Sequence, residues 1–175
     1  MTEPSPRAQL AGFISKFSPP IAARARAVLA TLRTRLPGAV ELVYDNYNAL
    51  AIGFGPTERM RDLIVSVAVY PRWVSLFFFN PGQLDDPAKL LHGDGTMVRH
   101  LVLAAADDLD RSAVRALLRQ AIAVADVALD ARQPRRLVIK SVAARQRPRR
   151  PLLAARTAAK PRRGPGPPAP AGRRG

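Results

Sequence analysis

The sequence predicts an α+β fold: an antiparallel sheet of about five strands, with a sixth candidate strand at an edge, flanked by N-terminal and C-terminal helices and followed by a disordered basic tail. Three observations carry this. Apolar residues recur three and four apart before residue 37 and again after residue 111, the spacing of one helix face. Between these stretches the pattern changes to short runs rich in β-branched and aromatic residues, joined by short turn-prone links with no long helix among them, which favours strands paired with their chain neighbours. Finally, residues 1–130 hold 14 Lys/Arg against 13 Asp/Glu, while residues 131–175 hold the remaining 14 cations and no carboxylate, so the net charge of +15 belongs almost wholly to the last quarter.

Leu10, Phe13, Ile14 and Phe17 form the first helical face. Ser18-Pro19-Pro20 stops that helix and starts the next: Ser18 is placed to cap, and proline is tolerated in a first turn because its missing N–H would have gone unpaired. Ile21, Ala25, Val28, Leu32 and Leu36 make the second buried stripe, with Arg24, Arg26, Arg33 and Arg35 off it, and Pro37-Gly38 ends the helix. Val40–Tyr44 and Leu50–Phe54 read as strands around the turn Asp45-Asn46-Tyr47-Asn48. Leu63–Tyr70 and Val74–Phe79 are the clearest strands, linked by Pro71-Arg72-Trp73 in a hairpin. Asp86-Pro87 opens a helical turn through Leu91, His92–Gly95 is a turn, and Val98–Ala104 is the fifth strand. Asp107, Asp108 and Asp110 precede a helix over Arg111–Leu129, where carboxylates complement the positive helix end. Leu137–Val142 is the edge-strand candidate. Residues 1–143 are therefore expected to form one domain, and residues 144–175, mostly Arg, Pro, Ala and Gly, a disordered tail with too few apolar side chains to offset the entropy of ordering it.

The chain has no cysteine, which excludes disulfides, thiolate metal sites and a cysteine nucleophile. Its N-terminus lacks the basic start and apolar stretch of a signal peptide, and no apolar run is long and uninterrupted enough to span a bilayer. The expectation is a soluble cytoplasmic protein.

Four pieces read in order resemble the YdhG-like family of small bacterial domains: Tyr44 to Tyr47 at the first turn, Tyr70-Pro-Arg-Trp-Val-Ser-Leu76 at the central hairpin, Leu90-Leu-His-Gly-Asp-Gly95, and Val98-Arg-His-Leu-Val-Leu103 ahead of the acidic helix start. The resemblance covers roughly residues 10–130, most of a domain of ordinary size. It implies an antiparallel sheet between helices with a frataxin-like outline and, as in some members, iron binding or delivery. That function depends on exposed carboxylates. This chain has no acid between Glu3 and Glu41, and the early helices carry arginine instead.

Four constellations carry candidate chemistry. His92, Asp94 and His100, with Asp85 and Asp86 near them, combine imidazole and carboxylate in a set suited to Fe(II) or Mn(II); against this, Gly93-Asp94-Gly95 reads as a turn and Asp85 and Asp86 as caps. Asp107, Asp108 and Asp110 read as a helix start or as paired carboxylates for acid–base work. Tyr44, Asn46, Tyr47, Tyr70, Trp73 and Asn80, with Arg99 on the last sheet strand, could line a small-molecule pocket on the sheet or simply pack. In Phe77-Phe78-Phe79 the middle ring must point opposite to its neighbours, so one sheet face meets the helices and the other a loop, a partner or water. Finally, Arg145, Arg147, Arg149, Arg150, Arg156, Lys160, Arg162 and Arg163 could follow a phosphate backbone without reading sequence, or merely keep the chain soluble. None of the motifs of the common hydrolases, P-loop proteins or dinucleotide-binding domains occurs. The expected function is a non-enzymatic binding protein with a nucleic-acid-binding tail; iron delivery and a sheet-face ligand are the alternatives.

Overall fold

The computed structural model describes residues 2–151. Helix α1 spans Pro6–Ser15 and α2 spans Pro19–Arg35. The Ser5 hydroxyl caps α1 by accepting the Ala8 N–H. Ser18 occupies the cap position of α2, but its hydroxyl makes no capping bond. Two prolines fill the first two helical positions, which removes one of the donors such a hydroxyl would meet. Six strands follow in part: β1 (Val40–Asp45), β2 (Leu50–Gly55), β3 (Val65–Val69), β4 (Val74–Phe79) and β5 (Val98–Leu103), then helix α3 (Ser112–Ala123) and strand β6 (Arg136–Val142). Among the described residues no helix is long and apolar enough to cross a membrane.

The strands lie in the order β5-β4-β3-β2-β1-β6. Strands β1 to β5 form an antiparallel meander, as expected, but β6 pairs with β1 in parallel, so the sheet is mixed. The connection explains the direction. After β5 the chain crosses the helix-covered face through α3 and returns to the end of the sheet where β1 begins. It can then run only alongside β1, with Val40 opposite Arg136.

All three helices cover one face. Leu10, Ile14, Phe17, Val28, Leu32, Val114, Leu117 and Leu118 pack there against Val43, Leu50, Ile52, Phe54, Val67, Val69, Leu76, Phe78 and Leu103 in one continuous core. Each large side chain taken fully from water stabilises by about 1.5–3 kcal/mol. The arginines off the α2 stripe fasten the helix to its surroundings. Arg33 donates two 2.8 Å bonds to the buried Glu41 carboxylate on β1, Arg35 pairs with Asp110 and the Leu109 carbonyl, and Arg24 donates to the Leu103 carbonyl. The Glu41 partner holds the Arg33 guanidinium above its ordinary pKa.

Three local expectations are corrected. Residues 86–91 form no helix: one backbone turn joins the Lys89 N–H to the Asp86 carbonyl at 3.0 Å, and it goes no further because the Asp86 carboxylate accepts the Leu90 and Leu91 N–H groups at 3.0 and 2.9 Å. The closing helix ends at Ala123 rather than Leu129, because the following residues form the link to β6. The expected disordered tail does not begin at 144. Residues 144–151 run over the β1–β2 turn and dock there: the Arg147 N–H donates to the Tyr47 carbonyl, Gln146 to the Asp45 carbonyl and Arg150 to the Lys16 carbonyl. The domain therefore extends past 143.

Candidate ligand groove on the open sheet face

Strand alternation decides what the second face of the sheet presents. With Phe78 turned into the core, Phe77 and Phe79 point the other way. On that face β2 offers Ala51 and Gly53, β3 offers Ser66 and Ala68, and β5 offers Val98 and His100, in register with one another. Among the described residues no helix lines this face. One end is covered: Leu63 rests on Gly53, where a Cβ would come within 2.6 Å of its side chain, and it packs with Val40 and Leu42 beside Tyr44, Phe79 and Val138.

At the other end the face stays open as a groove of about 430 Å³. Its floor is Ala51, Ser66 and Ala68, and its sides are Phe77, Phe79 and Val98. Asn46, Tyr47, Asn48 and Ala49 from the β1–β2 turn and Tyr70 from the end of β3 close the rim. Small side chains between rings make the concavity. Aromatic stacking stiffens it: Trp73 lies against Tyr70 with ring centroids 4.7 Å apart and Phe77 against His100 at 5.1 Å. Burial pushes the Tyr70 hydroxyl above its ordinary pKa, as it does that of Tyr44. Among the described residues the lining includes no charged side chain, and its polar groups are the amides of Asn46 and Asn48 and the hydroxyls of Tyr47, Tyr70 and Ser66. Such a surface suits a flat, uncharged group that stacks on rings and meets amides and hydroxyls at its edge.

The expected pocket set is only partly brought together. Tyr47, Tyr70 and Asn46 line the groove, Trp73 stacks behind Tyr70, and Tyr44 lies on the same face in the covered cluster. Asn80 and Arg99 lie elsewhere. Asn80 takes a left-handed turn with φ of 50° after β4, and the Arg99 guanidinium folds back to the Gly95 carbonyl. The groove's floor was overlooked in the sequence, although Ala51, Ser66 and Ala68 at alternating strand positions were a legible signal of a face not built for close packing.

Comparison with protein families, with curated proteins and with solved structures gives no match to this chain, so the site is read from its geometry.

The metal set does not assemble. His92 and His100 do meet, through a pair of backbone bonds of 2.7 and 3.1 Å that extends the sheet beyond β5, and their rings lie 6.2 Å apart. Asp94 does not complete the set: among the described residues no three His, Asp or Glu side chains converge in a way that could hold a metal ion. Asp108 serves its own loop, accepting the Ala104 and Ala105 N–H groups, and Asp110 pairs with Arg35.

The tail cations divide. Arg149 is corrected from a phosphate-binding to a structural residue. It is 5% exposed, holds the fully buried Asp45 carboxylate at 2.7 Å, and lies over the Phe17 ring. Lys16 takes the other Asp45 oxygen at 3.0 Å. Arg145, Arg147 and Arg150 are exposed, and Arg147 reaches the Asn48 side chain on the groove rim at 3.4 Å. Arg156, Lys160, Arg162 and Arg163 lie outside the described residues.

Proposed function

We propose that this protein is a binding module whose open sheet face receives a flat, uncharged, largely apolar group. The observation that supports it is the groove itself: small residues on adjacent strands between aromatic rings, with one hydroxyl, of Ser66, on the floor and the other hydrogen-bonding side chains at the rim. A sheet face meant only for water would carry polar side chains at these positions, and one meant for a helix would carry large apolar ones. The test uses the chain's single tryptophan, Trp73, 41% exposed and stacked on the rim tyrosine. Titration with adenosine and with benzamide should change its fluorescence saturably, and amide shifts in NMR should cluster at residues 46–51, 66–70 and 77–79. Ala51→Phe, which fills the floor, should abolish both signals. Shifts that fall on the helices, or survive Ala51→Phe, would refute the assignment.

A further inference from the structure

The groove and the start of the cationic segment occupy the same place. Tyr47 and Asn48 form the groove rim, and the same two residues receive the Arg147 N–H at 2.9 Å and the Arg147 guanidinium at 3.4 Å. From Ala131 onward the chain has 14 cations and no carboxylate, whereas the groove lining has no charge at all. An uncharged stacking surface edged by Arg147, where the cationic segment begins, is complementary to a molecule whose flat apolar parts are strung on an anionic backbone. We propose that the partner is a single-stranded nucleic acid, with unpaired bases stacked on the open sheet face and a phosphate taken by Arg147 at the rim. The proposal rests on the groove reading above and names the class of its ligand.

Unpaired bases are required by geometry. In a duplex the base faces are stacked on one another and unavailable, whereas a single strand offers them to Tyr47, Tyr70 and Phe77. The rim amides of Asn46 and Asn48 can meet base edges. Arginine at the mouth supplies planar, multiply donating contacts to phosphate without entering the apolar floor. Arg149 is excluded from this role by its burial against Asp45.

The experiment is fluorescence anisotropy on the full chain, with a labelled single-stranded oligonucleotide about a dozen nucleotides long, its duplex, and inorganic polyphosphate as competitor. The single strand should bind more tightly than the duplex. Tyr70→Ala should weaken single-strand binding by roughly fivefold or more, the loss expected for one stacked base, while duplex binding holds and circular dichroism shows the fold intact. Arg147→Ala should flatten the log–log salt dependence by about 0.7, the single-strand value for one phosphate. Equal affinity for single strand and duplex, complete displacement by polyphosphate, or no effect of Tyr70→Ala would each overturn the proposal and leave only charge attraction. If adenosine shifts the groove residues but the oligonucleotide does not displace it, the nucleic-acid assignment fails while the groove reading stands. If neither ligand touches the groove, both fail.

Discussion

Arg149→Ala tests how the end of the described chain is held. Arg149 is the buried partner of Asp45, which is 0% exposed and keeps Lys16 on its other oxygen. Removing the guanidinium leaves one carboxylate oxygen without its charged donor. The loss of a hydrogen bond to a charged group is about 1.5–3 kcal/mol, and breaking a fully buried pair about 3–5 kcal/mol. Lys16 remains and is half-exposed, so the lower range applies. The lost cation–π contact with Phe17 adds about 0.5–1 kcal/mol. We expect about 2–4 kcal/mol of destabilisation in urea unfolding, with an unchanged slope. Arg147→Ala, an exposed change on the same segment, should cost under about 0.5 kcal/mol. A chain ending at Ala143 should lose at least as much as Arg149→Ala. Pairing Arg149→Ala with Asp45→Asn should cost less than the sum of the two, because the second change removes the charge that the first leaves unpartnered. If Arg149→Ala falls within about 0.5 kcal/mol of the parent, residues 144–151 are not docked as described and the reasoning fails.

Phe78→Ala should cost about 3–5 kcal/mol in urea unfolding, while Phe77→Ala, on the open face, should cost less than about half of that; equal costs would contradict the assignment of faces. Gly38→Ala should destabilise by about 1–3 kcal/mol from its backbone alone, since φ is +79°, and by more because the new Cβ would collide with the Asp130 carbonyl oxygen. The Thr57 hydroxyl and then Arg59 hold the Asp62 carboxyl below its ordinary pKa. Its contribution is therefore present above the unfolded-state pKa and lost as pH falls through the lower folded value. Thr57→Val should raise the Asp62 pKa in an NMR titration, and an unmoved titration would remove the hydroxyl as cause.

The meander was legible because β1 to β5 are joined by links with strong turn chemistry and each strand carries its own periodicity. The parallel direction of β6 was not, because it depends on where α3 delivers the chain, a property of the assembled layer. The same division holds at the site. The alternation of Phe77, Phe78 and Phe79 could be read locally, but the concavity depends on Ala51, Ala68 and Phe77 coming from three strands. Arg149 was misread for a related reason. Its neighbours in sequence are other cations and prolines, and nothing nearby announces that its partner is Asp45, 104 residues earlier. Composition describes a segment's average, and a single buried ion pair is invisible to it.

That separation has a consequence for synthesis. A growing chain completes β1 long before β6 exists, so during elongation β1 is the outer edge of a four-stranded and then five-stranded meander, with Asp45 at its tip lacking the Arg149 guanidinium. An unpaired strand edge is a template for unwanted pairing with another chain. The last described residues change both together: β6 pairs with the β1 edge and becomes the outer strand in its place, carrying Arg136 and Lys140, and seven residues later Arg149 neutralises the carboxylate. Nascent chains stalled before residue 136 should therefore present an unpaired β1 edge and an unpartnered Asp45, and should aggregate more readily than the full chain.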